Sequence, residues 1–324
     1  MTILLVLLVL DMYCGICLSL FQYLCWNKNK NDPNLLGYWI CDEPFPNGYV
    51  NIERIVKEIK KYDKKHLFLI NIGDNEYTTK ENLDLFFNKI NPNIISFDYY
   101  NFLNKVNLDK EFEKRLLLIH NESIEHNINF YTILQAVGTK NTSANFLDWK
   151  EPNIDEFRWL VYKSLSYGSK GIIWFHWDAE DWSVIHTKNK KRIILKLKKI
   201  NNEIKSLSRI LSGLSNKSIY NFSYKKQKKI YGLNNTFIKN VDMGEGDNIN
   251  ISLFFNRYNE KFLFITNNNY KKNFYATFKV KHKLKNILVF DIEKDKWKKN
   301  ALKDLEFELK INKGGGKVLK LIEK

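Results

Sequence analysis

Cysteine, proline and glycine are all scarce in this chain. Four Cys occur among 324 residues, at Cys14, Cys17, Cys25 and Cys41, and none follows residue 41. A disulfide scaffold and a Cys-ligated metal centre in the body of the chain are thereby excluded. Five Pro and 14 Gly exclude a collagen-like fibre and a Pro-rich linker protein. Arginine is rare beside lysine, so the formal charge of +16 is mostly lysine charge. Those lysines are scattered, as in YKKQKK, KNKKR and KWKK, rather than gathered on one helix. The surplus of Lys, Asn and Ile is what an AT-rich coding sequence produces, and no nucleic-acid partner is expected. What is present is globular: 44% hydrophobic and 15% aromatic residues, enough to bury a large core.

One long apolar run stands at the amino end. Residues 2–26 read TILLVLLVLDMYCGICLSLFQYLCW, with Asp11 the one charge, and NKNKN follows. About 20 such residues can cross a bilayer. Three readings compete: a signal peptide, a membrane anchor, or a remnant of a buried element or of a misplaced start. A secreted or membrane-anchored protein is the expectation, with membrane association through this segment. The Cys14/Cys17 pair reads as coincidence within the apolar run, because no βα context surrounds it.

From residue 36 the pattern is regular. Strands are expected over GYWIC (37–41), HLFLINI (66–72), NIISFDYY (93–100), INFYTILQAV (128–137) and GIIWFHW (171–177). Helices are expected over 51–63, 80–90, 109–123, 154–168 and 191–214, from apolar spacing of three and four. Each strand leads into a helix, and the strands are apolar throughout. That combination predicts a parallel sheet covered on both faces. Beyond residue 216 come short β runs with little helix: KSIYNFSY, KKIYGL, INISLFFNRY, KFLFITNN, NFYATFKVK, KNILVFDI and FELKI. They predict an antiparallel β-sandwich.

The chemistry-bearing residues fall at strand ends. GYWICDEPF ends a buried strand in Asp42-Glu43-Pro44. In a parallel βα barrel the carboxyl ends of the strands carry the functional groups, so Glu43 is placed for acid/base work. Asp98, Tyr99 and Tyr100 end the third strand, Gln135 the fourth, and Trp174, His176, Trp177, Asp178 and Trp182 lie at or after the fifth. A carboxylic acid can protonate a sugar oxygen and a carboxylate can act as nucleophile or base, while aromatic rings cover the apolar faces of sugars. For Trp39 and Phe175 core packing is the simpler reading, and His176 fits a core or a site equally well.

These residues resemble a known family. LLGYWICDEPF, NIISFDYY and above all EPNIDEFRWLVYKSLSYGSKGIIWFHW are similar to bacterial β-galactosidase-like glycoside hydrolases with a TIM-barrel domain, akin to family 42 and its clan A. The resemblance covers about residues 33–324. It implies a partial (β/α)8 TIM barrel, strands four to eight, over 33–214 and a C-terminal antiparallel β-sandwich over 216–324, after the hydrophobic segment 1–26. It implies Glu43 as acid/base and Asp42 as a contact to substrate. The family's nucleophile is a Glu ending the seventh strand, where this chain has Gln135. Asp98, Glu151 and Asp178 are the substitutes nearby, of which Asp98 and Asp178 are the catalytic candidates. Tyr100, Gln135, Trp174 and Trp177 join Asp42 as candidate substrate contacts. With 36 residues before the first strand, a chain truncated at its amino end is the expectation, with impaired activity. No metal or organic cofactor is expected, because carboxylates suffice. The partner is a carbohydrate, either as substrate or, in the alternative, as ligand of a non-catalytic surface protein derived from a glycosidase.

Overall fold

A computed structural model describes residues 31, 33, 35–178, 180–224, 237–281 and 284–323. The apolar run 1–26, with Cys14, Cys17 and Cys25, and the strand expected over KKIYGL lie outside the described residues. Among the described residues no helix is long and apolar enough to cross a membrane.

Five strands alternate with five helices: β1 (Gly37–Asp42), α1 (Tyr49–Tyr62), β2 (Leu67–Ile72), α2 (Lys80–Ile90), β3 (Ile94–Asp98), α3 (Asp109–Glu125), β4 (Asn129–Gln135), α4 (Ile154–Ser166), β5 (Gly171–Phe175) and α5 (Lys190–Leu211). The sheet order follows the sequence, β1-β2-β3-β4-β5, and the pairings from β1 to β4 are parallel. β2 and β3 are buried along nearly their whole length, as a sheet covered on both faces requires. Compactness divides the chain into two units, with boundaries after Tyr99, Leu116 and Ile133.

In the first unit, α1 and α2 turn their apolar faces inward. Tyr49, Ile52 and Val56 are buried on α1, and Leu83, Phe86, Phe87 and Ile90 on α2. Tyr49 meets Phe86 edge-on, with centroids 5.3 Å apart. Thr79 caps α2, its hydroxyl accepting from the Asn82 amide. At the other end of β1, Asp63 is nearly closed off. It accepts from the Tyr38 hydroxyl at 2.7 Å, faces His66 Nδ1 at 2.7 Å, and takes the Lys65 and His66 amides. Burial pushes its carboxyl up, but these donors outweigh burial and hold it well below the usual range.

The second unit holds α4, α5 and the β-rich tail. α4 opens with a capping box, Asn153 accepting from the Glu156 amide while Glu156 accepts from the Asn153 amide. Arg158 forks onto Glu203 of α5, and the Tyr162 hydroxyl donates to the same carboxylate. The tail forms two antiparallel sheets. Its strands are β6 (Ser215–Ser223), β7 (Ile238–Met243), β8 (Asn248–Phe255), β9 (Lys261–Asn267), β10 (Phe274–Val280), β11 (Leu284–Asp291), β12 (Lys296–Asn300), β13 (Glu306–Ile311) and β14 (Gly316–Glu323). One sheet runs β13-β10-β7 and the other β12-β11-β14-β9-β8-β6. Their inward residues, among them Val241, Ile251, Leu263, Phe278 and Leu309, form one buried cluster. Gly314 is held at φ +59, and a Cβ there would come 2.7 Å from Trp159 Cβ, so only glycine lets this turn approach α4.

The sequence reading lacked β7, β12 and β14. β12 (KWKKN) lies at a sheet edge, where lysines replace apolar alternation. β7 (IKNVDM) buries Ile238, Val241 and Met243 at a spacing of three and then two, which blurs the strand signal.

Candidate functional site

The first unit gathers carboxylates where β1, β2 and β3 end. β1 ends at Asp42, and the next residue, Glu43, takes φ 43, a left-handed conformation unusual for a side-chain-bearing residue. The Glu43 amide donates to the Asn71 carbonyl at 3.0 Å, so the chain folds over the end of β2 as it leaves β1. Such local strain persists where surrounding contacts impose it, often at functional positions.

Asn71, near the end of β2, organises the cluster. Its amide nitrogen donates to Asp42 Oδ1 at 2.9 Å and to Asp98 Oδ1 at 2.8 Å. The Ser96 hydroxyl donates to Asn71 Oδ1 at 2.9 Å, which fixes the amide with its nitrogen toward the two carboxylates. Asn71, Ser96 and Asp98 are buried. The Glu43 carboxyl lies against Gly73, whose missing side chain makes room for it. The residue is exposed as a whole, but its carboxyl is partly shut off from water. That burial, with Asp98, Asp42 and Asp74 close by, pushes Glu43 up to about 7, against a hydrogen bond from Asn75. A carboxyl with that value carries a proton near neutrality and can give it up, as a general acid must.

The sequence-expected residues Asp42, Glu43 and Asp98 thus come together. Asn71, Gly73, Asp74 and Asn75 were not among them. A polar Asn within the otherwise apolar LFLINI strand was the available signal for Asn71.

The remaining candidates lie in the second unit. The Tyr100 ring lies tilted against two others, with centroids 4.5 Å from Trp149 and 5.2 Å from Phe175. Trp182 extends this aromatic group, 5.6 Å from Trp149 and 4.1 Å from His176. Gln135 is fully buried, and its amide is spent on backbone. It accepts from the Phe102 amide and donates toward the carbonyls of Phe102, Val137 and Lys150. Trp174 faces the helices, its ring perpendicular to Phe157 and its indole N–H donating to Asn201 at 2.9 Å. Trp177 is exposed. Asp178, also exposed, pairs with His186 at 2.8 Å. Glu151 is held by Arg192 and Lys196 of α5. Burial raises its carboxyl, but these cations outweigh burial and hold it below the usual range.

No family model matches the chain, and no curated protein matches it in sequence. Solved structures do resemble it. An α-amylase of Anoxybacillus is 12% identical, with a TM-score of 0.47 over 90% of this chain and 60% of its own. An α-L-arabinofuranosidase of Thermotoga maritima is 11% identical, with a TM-score of 0.45 over 95% and 70%. A family 30 xylanase of Clostridium acetobutylicum is 7% identical, with a TM-score of 0.44 over 92% and 69%. The chain spans 60% of the length of the amylase it resembles. The amylase and the xylanase are glycoside hydrolases by their own descriptions. This chain's own strand order defines it as an α/β protein with a parallel sheet followed by antiparallel β-sheets.

Proposed function

We propose that this chain is a glycoside hydrolase of the β-galactosidase-like type, acting on an oligosaccharide or polysaccharide. In this reading its parallel sheet corresponds to strands four to eight of a (β/α)8 barrel over 33–214, and 216–324 is a separate sandwich. The observation that supports it is the placing of the Glu43 carboxyl, packed against Gly73 at a strand end beside Asp42 and Asp98, where burial and those carboxyls push it up to about 7.

Glu43 gives its proton to the glycosidic oxygen as the bond from that oxygen to the sugar breaks. The Asn71 amide donates to Asp98 and so turns one of its oxygens into a fixed acceptor. Asp98 takes a proton from the water that adds to the sugar carbon, so the bond made and the bond broken balance without a covalent intermediate. Asp42 is the contact to a sugar hydroxyl. Asp178, engaged with His186, is given no role.

The test is turnover of unactivated glycosides by the full chain, its Glu43→Gln variant and its Asp98→Asn variant. Loss of the acid should cost about 10²-fold or more, and should cost less with an aryl leaving group that needs no proton. Equal turnover by the chain and Glu43→Gln would overturn the assignment. Gln135 favours a second reading, a non-catalytic carbohydrate-binding protein, because a fully hydrogen-bonded amide stands where the family resemblance implies a carboxylate. Sugar binding with no turnover, unchanged in Glu43→Gln, would be its signature.

A further inference from the structure

Away from Glu43, the first unit holds a second set of ionisable groups, between α2 and the end of α3. Asp84 lies on α2. Glu122 and Glu125 lie on the last turn of α3, and His126 follows it. The His126 amide still donates to the Glu122 carbonyl at 2.9 Å, so the helical path continues and residues 122 and 126 face the same way. His126 Nε2 is 3.0 Å from Asp84 Oδ1 and 3.7 Å from Glu122 Oε2. Phe87 lies against the imidazole at 4.8 Å and fixes its plane. Ligand atoms of Asp84, Glu125 and His126 all lie within 4.8 Å of one another.

The simplest account is an ion-pair network. Lys80 Nζ reaches Asp84 at 3.2 Å, Glu122 at 3.3 Å and Glu125 at 2.9 Å. That account leaves one atom over. The Glu122 side chain is 1% exposed, and its Oε2 has no hydrogen-bond partner, although it points at the His126 ring. A buried carboxylate oxygen without a donor is costly, and a cation would remove that cost.

The spacing suits a small metal ion. Bonds of about 2.0–2.2 Å in tetrahedral geometry place neighbouring ligand atoms roughly 3.3–3.6 Å apart. The two separations at His126 Nε2 bracket that range. An imidazole nitrogen among carboxylates is a zinc-type set, since calcium and magnesium take oxygen alone. Lys80 is half-exposed at its side chain, so its ammonium can swing into solvent and give up its place.

We propose that Asp84, Glu122 and His126 bind a zinc ion, with Glu125 completing the set, and that Lys80 occupies the site when the metal is away. The ion ties α2 to α3 and takes no part in the Glu43 chemistry. The metal would take His126 through Nε2, the nitrogen that faces Asp84 and Glu122.

The test is calorimetric titration of the chelator-stripped full chain with zinc, followed by cobalt substitution read by absorbance. One zinc per chain is expected, weakened by about tenfold or more in His126→Asn and in Asp84→Asn. Both residues are partly exposed, so these variants avoid the folding risk of changing Glu122. Lys80→Gln should bind zinc at least as tightly as the parent chain. The cobalt spectrum should lack thiolate charge-transfer bands, which separates this site from the four cysteines. No zinc uptake, equal affinity in His126→Asn, or thiolate bands in the cobalt form would each overturn the proposal.

Discussion

The carboxyl of Glu43 rests in the space that a β-carbon on Gly73 would fill. The two residues belong to neighbouring strand ends, and each restricts the other. Gly73 does not sit in the left-handed region, so its backbone accommodates alanine. The Gly73→Ala substitution should therefore leave the chain folded, with a stability change within about 1 kcal/mol. It should drive the Glu43 carboxyl outward into water, lower its pKa toward the ordinary range and move the basic limb of the pH–rate profile to lower pH. An unchanged profile in Gly73→Ala would show that the packing of Glu43 against Gly73 does not set its acidity.

The same carboxyl makes stability depend on pH. Its folded value, about 7, lies above the ordinary 4.5. Folded Glu43 thus holds its proton through a window in which the unfolded chain has lost it. Its contribution to stability is constant below 4.5, falls as pH rises from 4.5 to about 7, and is level above that. Glu43→Gln removes the loss. Its melting temperature should match the parent near about pH 4 and exceed it near about pH 8, as scanning calorimetry would show. A variant less stable at the higher pH would contradict this.

In the second unit, Lys163 is buried on α4 and paired with Glu113 of α3 at 2.9 Å. Glu113 also accepts from the Tyr167 hydroxyl at 2.9 Å and from the Asn221 amide. Burial pushes the Lys163 ammonium down, against the pull of Glu113. Glu113→Ala strands that ammonium and should cost about 3–5 kcal/mol in chemical denaturation. Lys163→Met removes the buried charge itself and keeps the stem packed, so it should cost far less. Equal losses would mean that Glu113 stabilises through Tyr167 and Asn221 rather than through the ion pair.

How much of this was legible depended on periodicity. The five βα units were plain because strands buried on both faces are continuous apolar runs, such as LFLINI and IISFD. The carboxylates Asp42, Glu43 and Asp98 were plain because they interrupt such runs at their ends. Gly73 and Asn71 were not, because their roles depend on neighbouring strands 27 to 30 residues away: Asn71 on Asp98, Gly73 on Glu43. The cluster of Asp84, Glu122 and His126 was hidden for a related reason. Its helix-borne acids read as a solvated face until the fold closes Glu122 off from water.

Gln135 limits which side chains its position can hold. Its amide nitrogen has three backbone carbonyls within hydrogen-bond reach of its two N–H groups, and its oxygen accepts from one backbone N–H, binding the segment around Phe102 to that around Lys150. A glutamate at the same place would turn its negative oxygens on those carbonyls with no proton to offer, and the two segments would be pushed apart. Placing a carboxylate there is therefore not a one-letter change: the segments around Phe102 and Lys150 would have to be rebuilt with it. The position acts as a keystone: its amide can be exchanged only together with the backbone that leans on it.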